Sequence, residues 1–251
     1  MFSKIFDSLK LLMFHNRIFL RLLSLTGLGR LAFWLSIAVK RLSLLYGSWS
    51  QRAVEYPWVL RQLKLLKSGA LILDVGCAES VLSHELAARK FRVVGIDIRD
   101  YPFKNKNTHF IKRNVLNTGL PDNIFDAVIM VSTIEHIGLK VYGQKIIDDD
   151  GDIKALKELH RILKPGGYLL LTTPFIGNQP PRITEFERNY NIQRLMELTR
   201  NFESIIEDYF YPELRGGRLI WIKLNREQVG KRIFTNPGIA CLVLKKSTHA
   251  F

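Results

Sequence analysis

LILDVGCAES, residues 71–80, decides the fold when it is set beside RVVGID, residues 92–97. The first run is short, rich in leucine and β-branched residues, and carries an acid, Asp74, near its end. Gly76 then supplies a tight turn, and residues 79–90, ESVLSHELAARK, read as a helix. The second run reads as a strand ending in Asp97. Asp97 lies 23 positions after Asp74 and 21 after Gly76. That is the spacing of a βαβ unit in which a nucleotide sits over the first turn, and a carboxylate at the tip of the second strand accepts ribose hydroxyls.

The turn itself narrows the nucleotide. A dinucleotide site uses G-x-G-x-x-G, whose glycines let the backbone approach a pyrophosphate. Here the turn reads Gly76-Cys77-Ala78-Glu79-Ser80-Val81, with the first glycine alone in place. Glu79 would also repel a pyrophosphate near a helix N-terminus. A positively charged sulfonium ligand meets no such conflict, so the turn favours S-adenosylmethionine (SAM) over NAD. An NAD-dependent sugar-modifying enzyme is the alternative that these missing glycines disfavour.

The chain downstream keeps the same alternation. Residues 107–115, NTHFIKRNV, read as a third strand followed by a polar residue. Residues 122–131, DNIFDAVIMV, read as a buried fourth strand, followed at once by Ser132-Thr133-Ile134-Glu135-His136. Leucine or isoleucine at 156, 159, 162 and 163 gives residues 152–163 one buried helical face. Lys164-Pro165-Gly166-Gly167 stops that helix and turns into a strand over 168–173.

In this order the segments resemble the class I SAM-dependent methyltransferases. The family's first motif is richer in glycine, and Ala78 and Ser80 stand here in place of its second and third glycines. The F-D pair (Phe125, Asp126), the E-H pair (Glu135, His136) and L-K-P-G-G (residues 163–167) match further family motifs. A closer resemblance links residues 46–251 to a subgroup found among glycan and cell-surface polysaccharide genes. It is carried by EYPWVL (55–60), STIEHIGL with Y-G (132–143), D-x-D-G-D (148–152) and R-x-Y (188–190). The resemblance implies an α/β, Rossmann-like class I methyltransferase fold: a seven-stranded, mostly parallel sheet with its last strand antiparallel and helices on both faces. It also implies SAM as cofactor, held through Asp74, Gly76, Cys77, Ala78, Asp97, Ile98, Asn114, Val115 and Ser132. Asn114 holds the place of a residue that binds the adenine amino group. The alternative within this fold is a non-catalytic scaffold.

Composition bounds the remaining readings. Two cysteines, Cys77 and Cys241, fall in apolar segments without metal-ligand spacing, so reduced structural thiols in a cytoplasmic protein and no metal are expected. Net charge is +14, and residues 1–50 hold seven basic residues against one acid. Arg30 interrupts their apolar stretches, so neither uncharged run reaches the ~20 residues of a membrane span. Residues 1–45 therefore read as a basic, apolar helical extension to the domain at 46–251. It suits peripheral contact with the inner face of a membrane, or packing on the domain or on a second copy in a homodimer. No recognition motif accompanies the charge, so nucleic acid is not an expected partner.

Methyl transfer from a sulfonium is an in-line displacement, so the protein's main work is alignment. A hydroxyl acceptor also needs a base. His136, at a strand end where ligands bind in open α/β sheets, is the candidate, with Glu135 to orient it. The alternatives are packing for His136 and a helix-start acid for Glu135. Tyr142, Arg188 and Tyr190 lie by analogy on the acceptor side, and Trp58 packs on the cofactor or in the core. Asp148-Asp149-Asp150-Gly151-Asp152 lacks the ligand pattern of a calcium loop and reads as a solvated turn and helix N-cap. The expected acceptor is a small molecule or a glycan, bearing its hydroxyl on a sugar-containing or lipid-linked group.

Overall fold

The computed structural model describes residues 51–101, 108–144, 147–216 and 218–248. The chain divides into two units, residues 1–50 and 51–251. The extension expected over residues 1–45 lies outside the described residues, as does the side chain of Glu79. Among the described residues, no helix is long and apolar enough to cross a membrane.

The second unit is built on one sheet. Its elements are α1 (Arg52–Gln62), β1 (Leu71–Val75), α2 (Leu82–Ala88), β2 (Arg92–Asp97), β3 (Thr108–Lys112) and β4 (Phe125–Val131). They continue with α3 (Gly151–Ile162), β5 (Leu163–Phe175), β6 (Arg182–Ile183), β7 (Arg188–Asn189) and α4 (Ile192–Thr199). The chain closes with β8 (Glu203–Arg215), β9 (Arg218–Leu224), α5 (Arg226–Lys231) and β10 (Gly238–Lys245).

The strand order is β3-β2-β1-β4-β5-β10-β8-β9, while β6 and β7 form a separate two-stranded ribbon. β1 to β5 run parallel, and β10 is antiparallel to both β5 and β8. From β1 the chain first builds outward to β2 and β3, then returns to add β4 and β5 on the other side. The reversal leaves a crevice beyond the C-terminal ends of β1 and β4, where open α/β sheets bind ligands.

The sheet has eight strands where seven were expected. The extra one, β9, comes from the basic segment after Tyr211, which folds back as a hairpin along β8 from Arg215↔Arg218 to Tyr209↔Leu224.

Two apolar layers cover the sheet, which explains why its strands read as unbroken apolar runs. Side chains alternate between the layers along each strand. Leu73, Val75, Val128 and Met130 pack with Leu156 and Leu159 of α3 and with Leu195 and Leu198 of α4. Ile72, Ile129, Cys241 and Val243 pack with Trp58 and Val59 of α1 and with Leu82 and Leu86 of α2. Trp58 is fully buried and donates its indole N–H to Asp208 at 2.8 Å, so it anchors α1 within the core.

The L-K-P-G-G turn sits inside β5. Phe125 pairs with Leu163 and Ala127 with Tyr168, so residues 164–167 loop out opposite Asp126 alone. Gly166 takes φ +77 there. Asp126 holds this loop through Lys164 at 2.6 Å and caps the start of β1 by accepting the Leu71 N–H at 2.8 Å. One half-exposed carboxylate thus ties three elements. Replacing Asp126 by alanine is expected to cost about 1–2 kcal/mol in urea unfolding, with asparagine, which keeps the Leu71 bond, losing less.

Candidate active site

At the first turn the sequence departs from a glycine-rich loop because the backbone has no need of further glycine. Gly76 alone is left-handed, at φ +77, and a Cβ there would fall 2.3 Å from the Thr133 hydroxyl oxygen. Cys77–Glu79 then makes a single 3-10 turn, and Ser80 is extended at φ −116. The Ser80 hydroxyl accepts the Leu82 N–H at 2.9 Å, starting α2, and receives the Tyr56 hydroxyl at 3.0 Å. Glycine at 80 would lose both bonds.

Behind the turn, Cys77 is buried against Gly95 of β2. A Cβ on Gly95 would lie 2.7 Å from its sulfur. Burial pushes the Cys77 thiol up, as it does that of Cys241, so both remain protonated. Asp74 is buried and accepts the Ser83 hydroxyl at 2.5 Å; burial pushes its carboxyl up to about 7. Asp74 therefore braces the start of α2 from beneath the turn.

Asp97 sits at the tip of β2 with its side chain nearly covered. Its Oδ2 accepts the Ala78 N–H at 2.9 Å, which fixes the turn against β2. Its Oδ1 accepts the Arg99 N–H at 2.9 Å, and the Arg99 guanidinium lies against the same carboxylate. Ile98, the next residue, is half-buried. Two residues beyond β3, Asn114 is half-buried and accepts the Leu116 N–H at 3.0 Å. Val115 is buried in the core, so its backbone alone remains for a ligand.

Across the crevice, β4 ends in a group of buried acids. Ser132 takes φ +38, an unusual conformation for a residue with a side chain, and it is buried. Its hydroxyl donates to Glu55 Oε1, and the Thr172 hydroxyl donates to the same oxygen at 2.6 Å. Glu55 Oε2 pairs with Arg52 at 2.7 Å. Ser132, expected at the cofactor, is thus committed to Glu55 through its side chain.

Glu135 is 1% exposed and receives the Thr173 hydroxyl at 3.3 Å. Burial, together with the charge of Glu55, pushes its carboxyl up to about 8. His136 follows, with Nε2 3.9 Å from Glu135 Oε1 and Nδ1 2.8 Å from the Phe186 carbonyl oxygen. That carbonyl can only accept, so Nδ1 carries the proton and Nε2 keeps its lone pair. The rings of Tyr142 and Phe186 stand edge-on to the imidazole, with centroids 5.1 and 4.8 Å away.

Arg188 and Tyr190, placed by analogy on the acceptor side, are engaged with the protein itself. Arg188 is buried and donates to the carbonyls of Ile137, Asp148 and Asp149. Tyr190 is buried against Asp152 and the Ile134 carbonyl. The aspartate run is likewise only partly solvated. Asp150 starts α3 without a side-chain cap, while Asp152 is fully buried and paired with Arg194 at 3.0 Å.

Three residues in contact with these groups, Arg52, Arg99 and Phe186, drew no notice in the sequence, and Glu55 and Thr133 appeared there as members of motifs without a role of their own. Glu55 was visible inside EYPWVL, but nothing local marks it as the partner of a serine 77 positions later.

The raised carboxyls carry a signed consequence. Glu135 titrates near 4.5 when unfolded and near 8 when folded. Between those values the folded protein holds a proton that the unfolded chain has lost, so stability falls as pH rises, by up to about 1.4 kcal/mol per unit from this group. Asp74 acts in the same direction between its ordinary 3.8 and about 7. Denaturant unfolding at pH 5, 6.5 and 8 is expected to show this decline. Glu135→Gln should flatten it and gain most at pH 8.

Comparison with known proteins agrees with this architecture. A family model described as a methyltransferase domain matches residues 73–171. A ubiquinone biosynthesis O-methyltransferase of Pseudomonas paraeruginosa is 27% identical over 153 residues, covering 55% of this chain and 59% of that protein. A tRNA (carboxymethyluridine(34)-5-O)-methyltransferase of Arabidopsis thaliana is 28% identical over 126 residues, 49% of this chain and 28% of the relative. The chain therefore spans less than two thirds of the length of these relatives. Among solved structures, 1,6-didemethyltoxoflavin-N1-methyltransferase of Burkholderia thailandensis, with S-adenosylhomocysteine bound, superimposes with a TM-score of 0.56 at 16% identity, over 79% of this chain and 80% of that one. A SAM-dependent methyltransferase from Archaeoglobus fulgidus gives 0.57 at 17%, over 78% and 95%. The matched methyltransferase domain lies across the switch point of a sheet of this order, and the chain shares with these solved structures the Rossmann-like fold of the class I SAM-dependent methyltransferases.

Proposed function

We propose that this protein transfers a methyl group from SAM to a hydroxyl of a sugar-containing or lipid-linked acceptor. The observation that carries the cofactor half is the join between the tips of β1 and β2. Gly76 lets the chain turn flush against Thr133, and Asp97 is fixed by Ala78 facing that turn. Asp97 would hold the ribose hydroxyls, the backbone of residues 76–78 the sulfonium end, and Asn114 the adenine edge. When bound, the cofactor supplies an electrophilic methyl group already activated by its sulfonium.

The protein's part is to align the acceptor and receive its proton. His136 Nε2 takes the hydroxyl proton, and the Phe186 carbonyl fixes the tautomer that makes this possible. Glu135 stays largely protonated at neutral pH and ionises as pH passes about 8, where it stabilises the imidazolium. Tyr142 and Phe186 give the site an aromatic border on which an apolar sugar face can pack. The curated relative in Pseudomonas is named an O-methyltransferase, which supports oxygen as the atom methylated. The acceptor class is supported by the subgroup resemblance and by the basic, apolar residues 1–45, to which we assign peripheral membrane contact.

The test is transfer of label from methyl-labelled SAM to a panel of free sugars, glycans and lipid-linked saccharides. A labelled methyl ether on a saccharide is the expected product. His136→Ala should lower kcat by roughly a hundredfold or more while leaving S-adenosylhomocysteine binding intact. Label appearing instead on an amine or on tRNA would overturn the acceptor assignment.

A further inference from the structure

Arg99 lies where two sites meet. An ionised carboxylate offers about four hydrogen-bonding positions, two on each oxygen. Backbone amides fill two of those on Asp97, with Ala78 N–H on Oδ2 and Arg99 N–H on Oδ1, each at 2.9 Å. The Arg99 guanidinium lies along the remaining edge, its Nε 3.3 Å from Oδ1 and its Nη2 3.4 Å from Oδ2. One donor per oxygen, side by side, is also what the two hydroxyls of a ribose present to such an acid. The two groups therefore need the same positions.

The arginine's hold is loose. Charge-assisted N–H···O bonds run about 2.7–2.9 Å, and both of these are longer. A second contact helps to keep the guanidinium there. Its carbon sits 4.4 Å from the centroid of Tyr142, within cation–π range. Tyr142, at φ +53, also packs on His136 and Phe186 with centroids 5.1 and 5.8 Å away. Arg99 is thus bonded at one side to the ribose acid and at the other to the aromatic group around the candidate base.

We propose that the Arg99 guanidinium competes with the ribose of the nucleotide for Asp97, and that Tyr142 biases this competition towards the arginine. This rests on the reading of the crevice as a nucleotide site. Coupling between two sites is reciprocal. A ribose seated on Asp97 moves Arg99 away from Tyr142, and an acceptor that takes the Tyr142 ring from Arg99 strengthens nucleotide binding. Arg99 is then a positioning residue that makes the two substrates bind cooperatively.

Calorimetric titration with S-adenosylhomocysteine separates the outcomes. Arg99→Leu, which removes the competitor, is expected to bind roughly fivefold more tightly than the wild type. Tyr142→Leu should also bind more tightly, although Tyr142 stands on the acceptor side, and the double variant should bind no more tightly than Arg99→Leu. Arg99→Lys, which keeps the charge but cannot lie along both oxygens, should fall between. Equal or weaker binding by Arg99→Leu overturns the competition, and unchanged binding by Tyr142→Leu overturns the link to the acceptor side. Failure of all four variants and the wild type to bind would instead remove the nucleotide reading, and this inference with it.

Discussion

The bond from the Ala78 amide to the Asp97 carboxylate is the contact on which the candidate site depends. β1 and β2 are adjacent parallel strands, so their tips lie side by side whatever the loops do. What the loops must add is a turn that closes over those tips and an acid that faces it. Asp97 does both, spending one lone pair on the turn and leaving its outer edge for a ligand or for Arg99. The buried Cys77 side chain against Gly95 and the Gly76 backbone against Thr133 hold the turn from its other sides. The result is a rigid first turn assembled from three strands, with one glycine in place of three.

That economy explains what was legible in the sequence. The strand–turn–helix–strand order from residue 71 to residue 97 follows from periodicity and from two acids at a telling distance, and the observed elements keep it. Ala78 and Ser80 stand out as departures only when the motif is read as a string of residue types. In backbone terms, glycine is required only where φ is positive or a Cβ would collide, and Gly76 is the one position in this turn that meets either condition. Ala78 and Ser80 occupy ordinary conformations, and Ser80 contributes two hydrogen bonds that glycine could not. The eighth strand was hidden for a different reason: RLIWIKL, an edge strand paired with β8 alone, has no period-two alternation, because Leu219 to Ile222 are all apolar.

The acceptor side was less legible because its chemistry is assembled from distant segments. Glu135 and His136 were visible as a pair. The features that give them their properties come from elsewhere: Glu55 from α1, Thr172 and Thr173 from β5, and the Phe186 carbonyl from the turn between β6 and β7. Burial of two carboxylates close together could not be read from any local spacing, yet it sets the ionisation of Glu135. Arg188 and Tyr190, placed by analogy on the acceptor side, act there as braces. A guanidinium aimed at three carbonyls and a phenol aimed at a buried aspartate fix the loops that carry His136 and Tyr142.

The central claim is that the tips of β1 and β2 form a nucleotide site with Asp97 as its ribose acid. Calorimetric titration of the intact protein with S-adenosylhomocysteine, beside an Asp97→Asn variant that keeps the size of the side chain, tests it most directly. The account predicts saturable one-to-one binding by the wild type and a loss of at least tenfold in the variant, as expected for losing charge-assisted hydrogen bonds to a ligand. Equal binding by the two proteins, or none by the wild type with its fold intact, would contradict it.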